Sequence, residues 1–490
     1  MEKGMKATSA VYGAGIAFVC LLLVSCGFQS YTAKPIDPSK IATRYLKHDP
    51  DSVEFREFLI ASGYPENRLP ITQWGESELT YVALFFNPQL DVARAQWRAA
   101  MASGNTARQR PIPAISSNVE NHSQRDGGVS PWTYGLGIDI PIETAGKREA
   151  RIDRANNLSE AARIEIAQTA WQVRSLAINA LIDYLNADYQ VQAMQSEVSL
   201  RQDIVSMLDA RLKAGMVSTV ESSNARLQLQ KAQQGLAAVQ GQIPALRASL
   251  AGNAGLPLAI FKQLNIESVP ISALNSKKQT IVFDDAVNAE FQEAALLNRL
   301  DIRAALARYA AAEAKLRLEI AKQYPDIIAS PGYSYDQGDR IWSLGLSGLL
   351  TLINKNRALI AEAQSLREVE AAQFEALQAN IISELEKAKA NYQSAQEELV
   401  KAQQFLDDTE ARSRQIQNQF DAGYADRLEL TTTKLENILA LQNLINTSYK
   451  AQRALARLED VIQRPLNSQV SSPINIEDTV NRASLNIEKR

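Results

Sequence analysis

Few side chains in this 490-residue sequence have the type and spacing that chemistry needs. Gly146 and Lys147 sit where a phosphate-binding loop would end, but five positions before Gly146 stands Pro141 instead of Gly. Arg148, and not Ser or Thr, follows the lysine. A helix starting after a strand accounts for the pair. The two histidines, His48 and His122, and the two cysteines, Cys20 and Cys26, are too few donors for a built-in zinc or copper centre. Both histidines are therefore assigned to the surface. Ser218 with Glu221, and Asp426 with Glu429, have the spacing of a helix capping box, in which cap side chain and third-position side chain satisfy each other's amides. No enzyme and no cofactor is expected from this inventory. A formal net charge of −3 with pI near 5.8 also argues against nucleic acid as a partner.

Cys26 has a different chemistry open to it. Lys3 and Lys6 precede the apolar run 16–24, which is too short to span a bilayer but suits the core of a signal peptide. The run ends in Leu23, Val24, Ser25, Cys26, an order that resembles the bacterial lipobox. Residues 1–25 then form a cleaved leader, and Cys26 becomes the lipidated first residue of the mature chain. Without a second long apolar segment, any membrane crossing must be made by strands.

The elements that must position everything else are two long helices. No Gly or Pro interrupts Lys147 to Gly215 or Lys355 to Gly423, and the two runs stand in constant register (355 − 147 = 208; 423 − 215 = 208). At about 1.5 Å per residue, each is a rod on the order of 100 Å long. Val191, Met194, Val198, Val205, Leu208 and Leu212 form a heptad seam on the first. Leu399, Ala402, Leu406, Ser413, Ile416 and Phe420 repeat it on the second. Return helices follow each rod. The expected organisation is a lead-in at 26–75, which five prolines keep extended, then a first repeat at 76–258 (hairpin 113–142, long helix 147–214, return helix 219–256). A linker at 259–290 precedes a second repeat at 291–465 (hairpin 326–350, long helix 355–422, return helix 427–462), and a polar tail at 466–490 ends the chain.

Each hairpin precedes its rod. Residues 113–122 and 132–142 flank the turn-forming cluster 123–128, and 326–336 and 340–350 flank Gln337, Gly338, Asp339. Alternation at Tyr134, Leu136, Ile138, Ile140 and Ile142 and a length of roughly ten residues suit a tilted transmembrane strand. Two hairpins cannot close a barrel, so strands of other copies must complete it.

Arg110, Pro111, Ile112, Pro113 with Val119, Glu120, Asn121, and the join Pro141, Ile142, Glu143, Thr144, Ala145, Gly146, Lys147, Arg148, resemble motifs of the TolC family of outer-membrane efflux channels. The likeness is to its CzcC type, from heavy-metal exporters, although Ala145 stands where Gly is common. The resemblance implies a mostly α fold with a small β part: a homotrimer whose α-helical barrel joins a shared outer-membrane β-barrel. It implies a periplasmic adaptor and an inner-membrane pump of the RND type as partners, and outer-membrane lipid as surroundings. Gly27 does not carry the Asp that would oppose sorting to that membrane. The tips at Gly215, Met216, Gly423 and Tyr424 would meet the adaptor. Glu429, with Asp426 or Asp421, would form a carboxylate ring at the periplasmic gate, although the family's second Asp is Thr432 here.

The cargo stays open between metal ions, drugs and a secreted polypeptide. A non-conducting lipoprotein scaffold built from the same coiled coils is the rival of another class. The lipidation reading is checked by mass spectrometry of the mature N-terminus: an acylated Cys26 is expected, and an unmodified start at any other residue contradicts it.

Overall fold

The computed structural model describes residues 29–123, 129–268, 281, 283–348 and 355–466. The leader, Cys26, Gly27, most of the first hairpin's turn, the middle of the linker, 349–354 and the tail beyond 466 lie outside the described residues. Two units divide the chain, Met1–Lys47 and His48–Arg490. In the first, helix α1 (Pro38–Leu46) is capped by Asp37, whose carboxylate accepts from the amides of Ser39 and Lys40.

The second unit holds all other elements. Helix α2 (Val53–Ala61) is capped by Ser52 and buries Phe55 and Leu59. Both helices correct the expectation of an extended lead-in. Pro38 occupies the first helical position, where a missing N–H costs nothing, and Pro50 and Pro65 fall outside α2, so prolines bound these helices instead of breaking them. Next come α3 (Glu76–Phe86) and α4 (Pro88–Arg108). The first rod, α5 (Lys147–Lys213), is followed by its return helix α6 (Thr219–Asn253) and the single turn α7 (Leu258–Phe261). In the second repeat, α8 (Asp285–Glu293) and a π turn at Ala294–Asn298 precede α9 (Leu300–Ala321). The rod α10 (Arg357–Asp421) and return helix α11 (Arg427–Ile462) complete it. The linker is thus partly helical, and a boundary at 290 would cut α8. The second rod starts two residues later than expected because Lys355 and Asn356 both have φ near +51°, in the left-handed region.

The duplication is visible in the packing. Ala180, Tyr184 and Leu250 belong to a core with Phe55, Leu79 and Phe261; their counterparts 208 positions on, Ala388, Tyr392 and Leu458, belong to one with Phe291, Ile302 and Ile381. Each rod therefore carries an aromatic-rich knot at the same height. Along the seams, Val205 and Leu208 are buried in the first rod and Ala402 and Leu406 in the second. Ala402 and Leu406 pack on Ala440 and Leu444 of α11. The repeats are also tied to each other: Tyr189 and Ala193 of α5 pack on Ile445, and Gln190 bonds to Asn446 at 2.8 Å. Higher up, the buried Arg174 reaches Glu76 and Glu459, each at 3.1 Å.

The strands β1 (Ala114–Asn121), β2 (Trp132–Ile142), β3 (Ile327–Asp336) and β4 (Asp339–Gly348) form one antiparallel sheet in sequence order. Gln337 and Gly338, both at positive φ, make the two-residue turn between β3 and β4. The pairings Leu136↔Tyr333 and Tyr333↔Trp342 place aromatic and aliphatic side chains on one face, continued by Val119↔Tyr134 and Pro331↔Leu344. On the other face most pairs are small or polar, as in Ser116↔Gly137, Asn118↔Gly135, Gly332↔Ser343 and Ser330↔Gly345, with Ile328 and Ile341 as apolar exceptions. Leu344, Leu346 and Trp342 are 71%, 72% and 82% exposed, so among the described residues this part of the apolar face is uncovered.

Candidate functional site

The two ends of the rods carry the residues singled out by sequence. At the strand end, the join 141–148 is a knot of caps. The ammonium of Lys147 is buried, 2.7 Å from the Asp326 carboxylate and 2.6 Å from the Tyr324 carbonyl. Asp326 also accepts from the Thr144 amide at 3.0 Å, and the Thr144 hydroxyl donates to the Pro325 carbonyl at 2.7 Å. Arg151 grips Glu143 through both guanidinium nitrogens (2.5 and 3.1 Å) and donates to the carbonyls of Ala107 and Gln109. Arg148 donates twice to the Arg108 carbonyl. Cations thus satisfy the open carbonyls where α4 and α9 end, and complement the negative ends of those helix dipoles. The motif residues Glu143, Lys147 and Arg148 are structural. They hold strand exits, rod and both preceding helices in one geometry.

At the far end, both rods stop in the same way. Gly215 at φ +70° donates to Leu212 O while Met216 donates to Arg211 O; Gly423 at φ +79° donates to Phe420 O while Tyr424 donates to Gln419 O. This crossed pair of bonds at a left-handed Gly is the Schellman stop. Met216 and Tyr424 are thereby pushed outward, 72% and 88% exposed. The return helices begin with Ser218 accepting from the Glu221 amide at 3.2 Å and Asp426 accepting from the Glu429 amide at 2.8 Å. Only this half of each expected capping box is made. The Glu side chains are exposed and stay in water.

The three candidate carboxylates are not equivalent. Asp421 accepts from Gln417 at 3.0 Å. Asp426 is engaged twice, by its cap and by the Arg211 guanidinium at 3.0 Å. Among the described residues no hydrogen bond or ion pair holds the Glu429 carboxylate. Of the three, Glu429 is therefore the carboxylate that these contacts leave unengaged. Arg211 was not legible as a partner, since it lies 215 positions from Asp426 and the two meet only where the tips come together. His48 corrects another expectation: it is half-buried, 2.8 Å from the Gly255 carbonyl and packed on Phe86, and so belongs to a helix junction. His122 lies at a strand end, 2.9 Å from the Thr133 hydroxyl.

Paired rods with matching stops at one end and a four-stranded sheet at the other define a duplicated rod-and-hairpin protein. The chain belongs to the outer membrane efflux protein family, whose model matches residues 79–256 and 292–462. Over 282 residues it is 27% identical to the cobalt-zinc-cadmium resistance protein CzcC of Cupriavidus metallidurans, a match that spans 56% of this chain and 62% of that protein. In fold it is similar to the outer membrane protein VceC of Vibrio cholerae (TM-score 0.62, 19% identity, 79% of this chain and 95% of that one). It is also similar to the CmeC outer membrane channel of Campylobacter jejuni (TM-score 0.64, 14% identity, 94% and 98%).

The Glu429 amide, followed by Arg211, holds the Asp426 carboxyl below the usual carboxylate range. A lowered pKa in the folded state stabilises the tip at pH above the unfolded value, about 3.9, and that stability is lost as pH falls through the folded value. Hydrogen-exchange protection of the first turn of α11 should therefore hold at neutral pH and decline below about pH 3.9. Asp426→Ala should cost about 1 kcal/mol there, and Asp426→Asn, which keeps the cap, less. Unchanged protection in Asp426→Ala would show that the cap is idle.

Proposed function

We propose that the protein is the outer-membrane duct of a tripartite efflux system: a homotrimer that passively receives cargo from an RND-type inner-membrane pump through a periplasmic adaptor. One observation carries this reading. A four-stranded sheet with an uncovered apolar face and two open edges is joined rigidly, through the Lys147–Asp326 knot, to rods on the order of 100 Å long. In lipid the edges must be paired, and closure with other copies pairs them. The rods then line a tunnel. Lipid on Cys26 would hold each copy at the membrane before its strands insert.

The cargo best supported is a metal cation, on the similarity to a cobalt-zinc-cadmium resistance protein. A drug or a polypeptide would use the same duct, because selection by the pump upstream leaves the duct free of a dedicated site. In this reading the exposed tips at Gly215, Met216, Gly423 and Tyr424 contact the adaptor, and Glu429, repeated by three-fold symmetry, narrows the periplasmic mouth. A ring of carboxylates in a narrow pore favours cations and binds multivalent ones.

Single-channel recording in planar bilayers tests this. Wild type should conduct with cation preference and be blocked by divalent ions, and Glu429→Gln should lose both the preference and the block while still conducting. No conductance would favour the scaffold reading. Conductance with unaltered selectivity in Glu429→Gln would move the gate elsewhere.

A further inference from the structure

The sheet's outer strands are β1 and β4, and among the described residues nothing pairs with their outward edges. The internal duplication specifies how they meet. β2 and β4 are counterparts, as are β1 and β3, because Gly137 pairs with Ser116 just as Gly345 pairs with Ser330. β4 therefore lies 208 positions after β2 (345 − 137 = 208), and β3 lies 214 after β1 (330 − 116 = 214). The junction between the two repeats is seen directly in β2 and β3, where Leu136 is opposite Tyr333. Carrying that junction across the duplication turns Leu136 into Leu344 (136 + 208 = 344) and Tyr333 into Val119 (333 − 214 = 119).

We propose that β4 of one copy pairs with β1 of the next in a single register, which sets Leu344 opposite Val119, Gly345 opposite Asn118 and Leu346 opposite Ser117. The inference rests on the shared-barrel reading above, and adds to it the alignment of the seam between copies.

Two features support this register over its neighbours. A slip by one residue would turn Val119 and Leu344, 63% and 71% exposed on the apolar face, against the polar face of the other strand. Slips by two keep the faces and must be judged on fit. In its own hairpin the Asn118 side chain lies directly over Gly135, so closely that a Cβ there would be 1.8 Å from Asn118 Oδ1. In the proposed register Asn118 has a second glycine, Gly345, on its other flank. A slip by two in either direction replaces that glycine with Ser343 or Ser347. Register also sets barrel size, since strand number and stagger together fix the diameter.

Four substitutions test the seam in the full-length protein in outer membranes. Val119→Cys with Leu344→Cys, and Ser117→Cys with Leu346→Cys, are in register. Val119→Cys with Leu346→Cys, and Ser117→Cys with Leu344→Cys, are slipped by two. Directly opposite residues have Cβ atoms about 4.5–5.5 Å apart and diagonal ones about 7–8 Å, so mild oxidation should link the first two variants into covalent trimers several-fold more than the others. The unsubstituted chain controls for any native thiol. Stronger linking in the slipped pairs overturns the register and leaves the shared barrel standing. Inserted, heat-resistant protein that links in none of the four pairs overturns the register, and the shared barrel is then judged by whether the protein runs as a trimer. The two in-register pairs guard against a single variant that fails to fold.

Discussion

The constraint on which the rest depends is the backbone hydrogen bonding of two strand edges. A bilayer core offers no water to an unpaired amide or carbonyl, so a sheet there must close. Four strands cannot close, and the edges of β1 and β4 are open in a single copy. On the proposed shared barrel, the membrane part is complete only when copies assemble, and what joins sheet to rods then determines where the rods stand. Cations gather at the join, Lys147 buried and Arg148 and Arg151 half-buried. Lys147 with Asp326 and Arg151 with Glu143 tie the strand exit to the ends of α4 and α9. Removing Asp326 would leave the buried Lys147 ammonium with the Tyr324 carbonyl but no counter-charge, whereas removing Lys147 leaves a carboxylate that is 44% exposed to water.

The rods need little specificity along their length and much of it at a few heights. Alanine-rich seams let backbones approach, while single polar contacts, such as Gln190 with Asn446 and Arg174 with Glu76 and Glu459, fix the axial alignment of the repeats. At the tips the two turns are alike in backbone and different in side chain. Ser218 caps one and Asp426 the other, and the extra charge of Asp426 gives Arg211 of the first repeat something to hold. Duplication supplies a common scaffold. Divergence at single positions then couples the two halves.

Much of this was legible in the sequence because the signals are long. Sixty-odd residues without Gly or Pro and with a heptad seam admit one reading, and strict alternation over 132–142 gave β2 its observed bounds, Trp132–Ile142. Signals that depend on one residue's context were missed. Prolines before 75 read as helix breakers, yet a proline at the first helical position is harmless, and Pro38 is one. Lys355 carries no mark of left-handed backbone, and Asn356 only the weaker one that Asn, unlike Gly, gives. The Arg211–Asp426 pair joins residues 215 apart and exists only through the packing of two repeats. At 426–429 the capping spacing marks the cap that Asp426 makes, while among the described residues Glu429 makes no return bond.

The central claim is that this chain is one third of a closed duct. Single-particle imaging of the purified protein in lipid nanodiscs tests it most directly. The account predicts a three-fold particle in which four strands from each copy (3 × 4 = 12) close one barrel above a continuous helical tunnel. A particle of separate copies, or one whose strands close without an open path along the rods, would contradict it.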